Sequence, residues 1–199
     1  MIGVVFTTTE ESRPFYERYG EGRFSELSAD HPMHDDNVLV SVSGTGKIKA
    51  ALHAERLCRD HDLDRLIHAG TASALSDELE PQTLVGVTFA LEGDRIELDA
   101  PSYPRMPLDC PFETDAEGTL VTQDHVIAES GDKSYWQRIA DLNDTTGYAL
   151  AYVAAQHGVP CHIAKVVTGH VGAENPSFQA DRAYAREAIA DLLMANVEG

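Results

Sequence analysis

Two neighbouring carboxylates, Glu10 and Glu11, follow a short apolar run, Ile2 to Phe6, and three threonines, Thr7, Thr8 and Thr9. A carboxylate held in a partly desolvated cleft has its proton affinity raised, which suits it to activate a water. The same pair serves equally well as the acidic first turn of a helix, favoured by the helix dipole. Ser43-Gly-Thr-Gly-Lys47 is the second feature that could carry chemistry. A P-loop needs a longer glycine-framed loop and a Ser or Thr directly after the lysine, and here Ile48 follows, which argues against a nucleoside triphosphatase. The glycines instead permit a tight strand-to-helix turn whose first backbone N–H groups are available to a polar ligand.

Histidines give weaker signals. His31-Pro-Met-His34-Asp35-Asp36 has metal-ligating residue types, but it falls in a loop with no rigid element to set geometry, so no metal or cofactor is expected. Asp124, His125 and His170 lie close to strand ends, yet no nucleophile-elbow pattern supports a Ser-His-Asp triad. Cys58, Cys110 and Cys161 are widely separated, odd in number and in no metal-type spacing, which predicts reduced, packing residues.

The elements that must position these groups alternate in type. Strands are predicted at Ile2–Phe6, Val38–Val42, Leu66–Ala69 (ended by Gly70), 83–91 and 94–98 as a hairpin, Leu120-Val121 with Val126-Ile127, and Cys161–Val167. Helices are predicted at Arg13–Tyr19, Ile48–Asp60, Thr146–Gln156 and Asp181–Val197, with loops over 20–36 and the proline-rich 99–117. Such alternation implies an α/β fold: three layers, a mixed, mostly parallel central sheet flanked by helices, formed as one domain over residues 1–199. Ligands in these sheets bind beyond the carboxyl ends of the strands, which directs attention to Thr7–Glu11, Ser43–Lys47, Gly70–Ala74, Gln123–Ile127 and Thr168–Glu174.

Bulk properties narrow the partners. The formal net charge of −18 at pH 7 argues against nucleic acid, because phosphate binding needs a basic footprint, and against anionic membranes. No apolar run approaches the roughly 20 residues of a membrane span, and the N-terminus lacks the pattern of a signal peptide. A cytoplasmic protein acting on a small molecule is the expectation.

Taken in order, these segments resemble the purine nucleoside phosphorylase and nucleosidase superfamily, in particular methylthioadenosine/adenosylhomocysteine nucleosidases and futalosine hydrolases. Ile2-Gly-Val-Val-Phe-Thr-Thr-Thr-Glu-Glu11 is similar to the family's first strand and catalytic glutamate. Ser43-Gly-Thr-Gly-Lys-Ile-Lys-Ala-Ala51 is similar to its SGxGKxxAA turn and helix. Ile67-His-Ala-Gly-Thr-Ala-Ser-Ala-Leu75 parallels I-N-T-G-S-A-G-G-L, Asp144-Thr-Thr-Gly-Tyr-Ala149 parallels D/E-M-E-G-x-A, and Lys165-Val-Val-Thr-Gly169 parallels R/K-x-x-S-D.

The resemblance implies Glu11 as the base that activates water, and Thr71, Ala72 and Ser73 as lining for the sugar and base. It puts Val126 and Ile127 where the family stacks an aromatic ring and offers backbone hydrogen bonds to a purine, with Phe178 as an apolar wall. Lys165 and Thr168 come across with their motif, as do Thr145 and Thr146, which stand in place of a methionine and a ribose-gripping glutamate. Gly169 replaces the acid that protonates the leaving purine, and His170 or Asp144 would have to take over. A homodimer is implied by the same analogy. Two readings stay open: an N-glycosidic hydrolase of altered specificity, with Glu11 and His170 catalytic, and a catalytically degenerate relative that binds a nucleoside-like ligand or acts as an interaction partner.

Overall fold

The structure is a computed structural model that describes residues 1–20, 22–23, 33–94, 104–125, 127 and 130–197. Its first strand, β1 (Ile2–Phe6), is nearly all buried because parallel neighbours flank it on both sides, β3 (Val38–Val42) and β4 (Arg65–Ala74). Between β1 and β3 come α1 (Thr9–Tyr19) and the two-residue strand β2 (Met33–His34), which lies in a stretch expected to be loop and pairs antiparallel with β3. Helix α1 starts four residues before the expected Arg13. The cause is a capping box: Thr8 Oγ1 accepts from Glu11 N at 3.2 Å, and the Glu11 carboxylate accepts from Thr8 N at 3.0 Å.

After the turn at Gly44 and Gly46, which take φ of 80° and 102°, α2 (Lys47–Asp60) leads into β4. Strand β4 does not stop at Gly70 as expected; it runs on to Ala74. Gly70 marks a close approach instead of a break, since a Cβ there would lie 3.3 Å from Glu11 Oε1 and 3.5 Å from Lys165 Nζ. Next come β5 (Leu84–Glu92), β6 (Arg105–Pro107), β7 (Ala116–Thr122), α3 (Ser130–Trp136), β8 (Leu142–Asp144), α4 (Gly147–Gln156), β9 (Cys161–His170) and α5 (Phe178–Val197). The antiparallel partner of β5 is β6, inside the excursion expected to be irregular; most of the expected hairpin arm at 94–98 lies outside the described residues. Strand β7 ends at Thr122, short of the expected continuation to Ile127, and α3 and β8 had no counterpart in the pattern.

The α/β architecture with a mixed sheet and flanking helices is present, but the sheet is not a flat middle layer. Strand β4 pairs with β9, β9 with β5, β5 with β7, β7 with β8, and β8 returns to β4, so these strands close into a ring. Strands β1, β3 and β2 continue from β4 as an open wing. The pairings β2–β3, β4–β8, β5–β6 and β5–β9 are antiparallel. Ring closure removes edges that would otherwise invite pairing with other chains. On one side Ala50, Ala54 and Leu57 of α2 and Leu150 and Ala154 of α4 pack on Leu66, Leu120 and Ile163. On the other, Phe15 of α1 and Ile189 and Leu193 of α5 pack on Phe6, Ile67 and Val166. No helix of the described residues is long and apolar enough to cross a membrane.

Near the start of β5, Gly86 is packed tightly against the segment between β6 and β7. A Cβ on Gly86 would lie 2.2 Å from Cys110 Sγ and 3.1 Å from Thr114 Oγ1. Gly86→Ala is therefore expected to destabilise by about 1–3 kcal/mol through overpacking, and Gly86→Ala/Cys110→Ala to recover much of that loss. Chemical denaturation of both variants checks this; equal losses would place the strain elsewhere.

Candidate functional site

The ends of β1 and β4 meet at one carboxylate. Glu11, in the first turn of α1, is 5% exposed. Its Oε1 accepts from Thr71 N at 2.9 Å and Thr71 Oγ1 at 2.8 Å, and its Oε2 from Thr8 N at 3.0 Å and Thr8 Oγ1 at 3.2 Å. The two sequence-based roles for this residue thus coexist: Glu11 caps its own helix and also reaches across to β4. Such convergence of donors holds a carboxylate in one orientation, as a positioned base requires. Glu10 points away and pairs with Arg182 at 2.7 Å.

Beneath Glu11 lies a buried polar cluster. Lys165 of β9 stands opposite Gly70, and its Nζ is 2.8 Å from Asp144 Oδ2 and 2.7 Å from His68 Nε2. His68 is fully buried, and its Nδ1 lies 2.8 Å from the Val5 carbonyl. Since that carbonyl can only accept, the ring carries its proton on Nδ1 and presents Nε2 as an acceptor to the lysine. Asp144 also accepts from Thr122 Oγ1 at 2.6 Å, from Gly147 N at 2.9 Å and from Thr146 Oγ1 at 3.3 Å. Thr146 Oγ1 further touches His68 Nε2 and Thr7 Oγ1, each at 3.1 Å. Among the described residues no buried side-chain polar atom lacks a partner.

The cluster's charges follow from this packing. Burial, then the Lys165 charge, lowers the pKa of His68 below that of an ordinary histidine. Burial alone would raise Asp144, but attraction to Lys165 and the hydrogen bond from its ammonium outweigh it and hold the carboxyl well below the usual range. Asp144 is therefore ionised near neutral pH and has no proton to give to a leaving group.

The expected site residues divide into groups. Glu11, Thr71, Thr146 and Lys165 come together in or directly around this cluster. Ala72 and Ser73 follow Thr71 along β4, and Thr168 Oγ1 donates to Ala72 O at 3.4 Å. Thr145 is half-buried beside them, between Asp144 and Thr146. Ile127 packs with Leu75, Leu91, Val121 and Trp136, whereas Val126 lies outside the described residues. His170 ends β9 opposite Ala74, and adds to the effect of Lys133 in lowering the pKa of the Asp77 carboxyl. Phe178 is 43% exposed, with the Arg182 guanidinium 5.7 Å from its ring centre. His68 was not singled out as a site residue, and Thr7 and Thr8 only as part of the strand-end segment Thr7–Glu11. A T-x-x-E capping box was there to be read for Thr8; nothing local distinguishes His68 from an ordinary strand residue.

Two further expectations meet different surroundings. The first N–H of α2 is not open to a ligand: Lys47 N donates to Asp124 Oδ1 at 2.9 Å. The Lys47 ammonium pairs with Glu92 at 2.9 Å and Asp94 at 2.6 Å. A cleft of about 570 Å³ opens here, lined by Lys47, Ile48, Glu92, Asp124, Tyr148 and Tyr152 among others. His31 lies outside the described residues, and among those described no group of metal-ligating side chains comes together. Where the resemblance puts an acid, a Cβ on Gly169 would lie 3.3 Å from Asn175 Nδ2. That amide donates to Thr168 O at 2.9 Å and to buried Asp181 at 2.8 Å, and Asp181 also accepts from Gln82 at 2.8 Å.

A partly closed mixed sheet with a donor-held glutamate after its first strand defines a phosphorylase-type α/β protein. Residues 4–119 match the phosphorylase superfamily, and the chain belongs to it. Among solved structures it is similar to 5′-methylthioadenosine/S-adenosylhomocysteine nucleosidase of Helicobacter pylori with butyl-thio-DADMe-Immucillin-A. There the TM-score is 0.86 at 18% identity, over 99% of this chain and 97% of that one. Futalosine hydrolase of Helicobacter pylori gives 0.85 at 19% identity, over 99% and 97%. The Campylobacter jejuni 5′-methylthioadenosine/S-adenosyl homocysteine nucleosidase gives 0.84 at 18%, over 98% and 96%. At these identities the likeness establishes the fold. No curated protein sequence matches the chain.

His68 makes the cluster sensitive to pH. Its folded pKa is lowered, so below about pH 6.5 the unfolded chain takes up a proton that the folded chain refuses. Its contribution is complete above that pH and falls by up to about 1.4 kcal/mol per pH unit on acidification. That of Asp144 is lost only below the ordinary carboxylate range, about pH 4. Between pH 6.5 and 5.5, denaturation midpoints should therefore drop more steeply for the natural chain than for His68→Asn. Parallel slopes would show that His68 is not held neutral.

Proposed function

We propose that this chain is a nucleosidase-type hydrolase that cleaves the N-glycosidic bond of a nucleoside-like substrate, with Glu11 as the base. The observation that carries this is the Glu11 carboxylate, nearly buried and oriented by Thr8 and Thr71 at the carboxyl ends of β1 and β4. A water beside Glu11 gives it a proton and attacks the anomeric carbon. The carbon–nitrogen bond breaks with its electron pair leaving on the base nitrogen, and the developing positive charge on the sugar faces the Glu11 carboxylate. Thr71, Ala72 and Ser73 line the sugar and base, with Thr145, Thr168, Ile127 and Phe178 around them. His170, half-buried at the end of β9, protonates the departing base; Asp144 is tied to Lys165 and does not. The relatives of similar fold, nucleosidases and a futalosine hydrolase, support this reaction class.

A second reading draws on Asn175. Its amide fills the space beside Gly169 and has both protons directed to Thr168 O and Asp181. Without an acid there, the chain binds a nucleoside-like ligand and does not turn it over.

The chain further acts, in this proposal, as one cytoplasmic unit over residues 1–199 and as a homodimer. Ile48, 83% exposed, and Tyr152, 48% exposed, share the cleft between α2 and α4, an apolar surface that a second copy would cover. Ile48→Asp is expected to shift the mass in light scattering from dimer to monomer; a natural chain that is monomeric at all concentrations rules the dimer out.

Chromatographic assay of a nucleoside panel for released base tests the reaction. Release by the natural chain is expected, with a fall of at least about 100-fold in Glu11→Gln. Thermal shifts with nucleosides but no base released would favour the second reading.

A further inference from the structure

The hydroxyl of Thr7 is the outermost group hydrogen-bonded to the buried cluster through Thr146. Thr7 is half-buried at the end of β1, and its Oγ1 lies 3.1 Å from Thr146 Oγ1. The groups behind the pair decide which of the two donates. His68 has its proton on Nδ1, toward the Val5 carbonyl, so its Nε2 is a bare lone pair already approached by Lys165 Nζ at 2.7 Å. Thr146 Oγ1 therefore faces acceptors on its inner side, His68 Nε2 at 3.1 Å and Asp144 Oδ2 at 3.3 Å. With the Nε2 lone pair taken by the lysine, the Thr146 proton goes to Asp144. Its oxygen is left to accept, and Thr7 must donate. Thr7 Oγ1, half-buried and with its single proton directed inward, has only lone pairs left for a ligand.

We propose that Thr7 is a ligand-binding residue that accepts a hydrogen bond from a sugar hydroxyl of the substrate, as the outer end of the chain Thr7 to Thr146 to Asp144. The inference rests on the nucleoside reading above and names the contact that holds the sugar. Thr146 does not do this itself: it is 1% exposed and its hydroxyl is committed to internal partners. The two-hydroxyl chain carries the acceptor character of the buried carboxylate outward. Because Lys165 neutralises Asp144, this acceptor arrives without a second negative charge beside Glu11. Placement also fits, since Thr7 immediately precedes Thr8, whose N and Oγ1 hold Glu11, and Gly44 N fixes the Thr7 carbonyl at 3.0 Å. Sugar acceptor and water-activating base then sit on one turn of backbone.

Calorimetric titration of the full chain with adenosine, 2′-deoxyadenosine and 3′-deoxyadenosine tests the assignment, with unfolding midpoints confirming that each variant is folded. Thr7→Val, which keeps the shape and removes the oxygen, should bind adenosine about three- to tenfold more weakly, the range of one neutral hydrogen bond. Thr7→Ser should restore binding. The deoxy analogue that lacks the gripped hydroxyl should bind the natural chain and Thr7→Val equally. Thr146→Val should weaken adenosine binding as Thr7→Val does, and the double variant should show no further loss. Undiminished adenosine binding by Thr7→Val, or the same loss for all three ligands, overturns the role of Thr7 while leaving the nucleoside reading intact. Absence of binding to the natural chain by every nucleoside overturns that reading and the Thr7 assignment with it.

Discussion

Lys165 and Asp144 form an ion pair in which both side chains are almost without solvent contact. Taking two charges out of water is costly, and the mutual attraction offsets that cost only when the remaining donors and acceptors are also satisfied. Here they are. Thr122, Thr146 and Gly147 complete the shell of Asp144, and His68 takes a further proton of Lys165. These groups come from β4, β7, β8, β9 and the start of α4, and the Val5 carbonyl ties in β1. Removing either charge would strand the other, so the pair constrains how the strands around it assemble.

The site inherits its geometry from that constraint. Gly70 has no side chain, and this lets Glu11, Lys165 and His68 converge on one point of β4. A closed ring in which β8 returns to β4 brings Asp144 beneath this point, which an open sheet would not do. Glu11 therefore lies above a cluster whose charges cancel, and keeps its own charge outside that pair. Thr146 completes a hydrogen-bonded path from Asp144 to the Thr7 hydroxyl.

Much of this frame was legible in the order of residues. The apolar runs Ile2–Phe6 and Val38–Val42 are strands at those limits, the glycine turn is where Gly44 and Gly46 required it, and α4 begins at the expected Thr146 boundary. Glu11 was legible as a candidate base from its place after the first strand. The early start of α1 was also written locally, in Thr8 and Glu11, as a capping box. Short β6 and β8 were not, because three residues hold too little periodicity to mark a strand and their partners lie far away in the chain.

Local order of residue types by itself determined the α/β alternation, the family and the position of Glu11, since each depends on periodicity, turn chemistry or motif spacing within a few residues. Only the tertiary structure decided that the sheet closes, that β4 passes through Gly70, and that Asp144 and Lys165 neutralise one another beside a neutral His68 beneath Glu11. Those facts rest on contacts between residues as many as 97 positions apart, as between Lys165 and His68. Burial converts them from separate polar side chains into one coupled cluster, and burial is a property of the assembled fold.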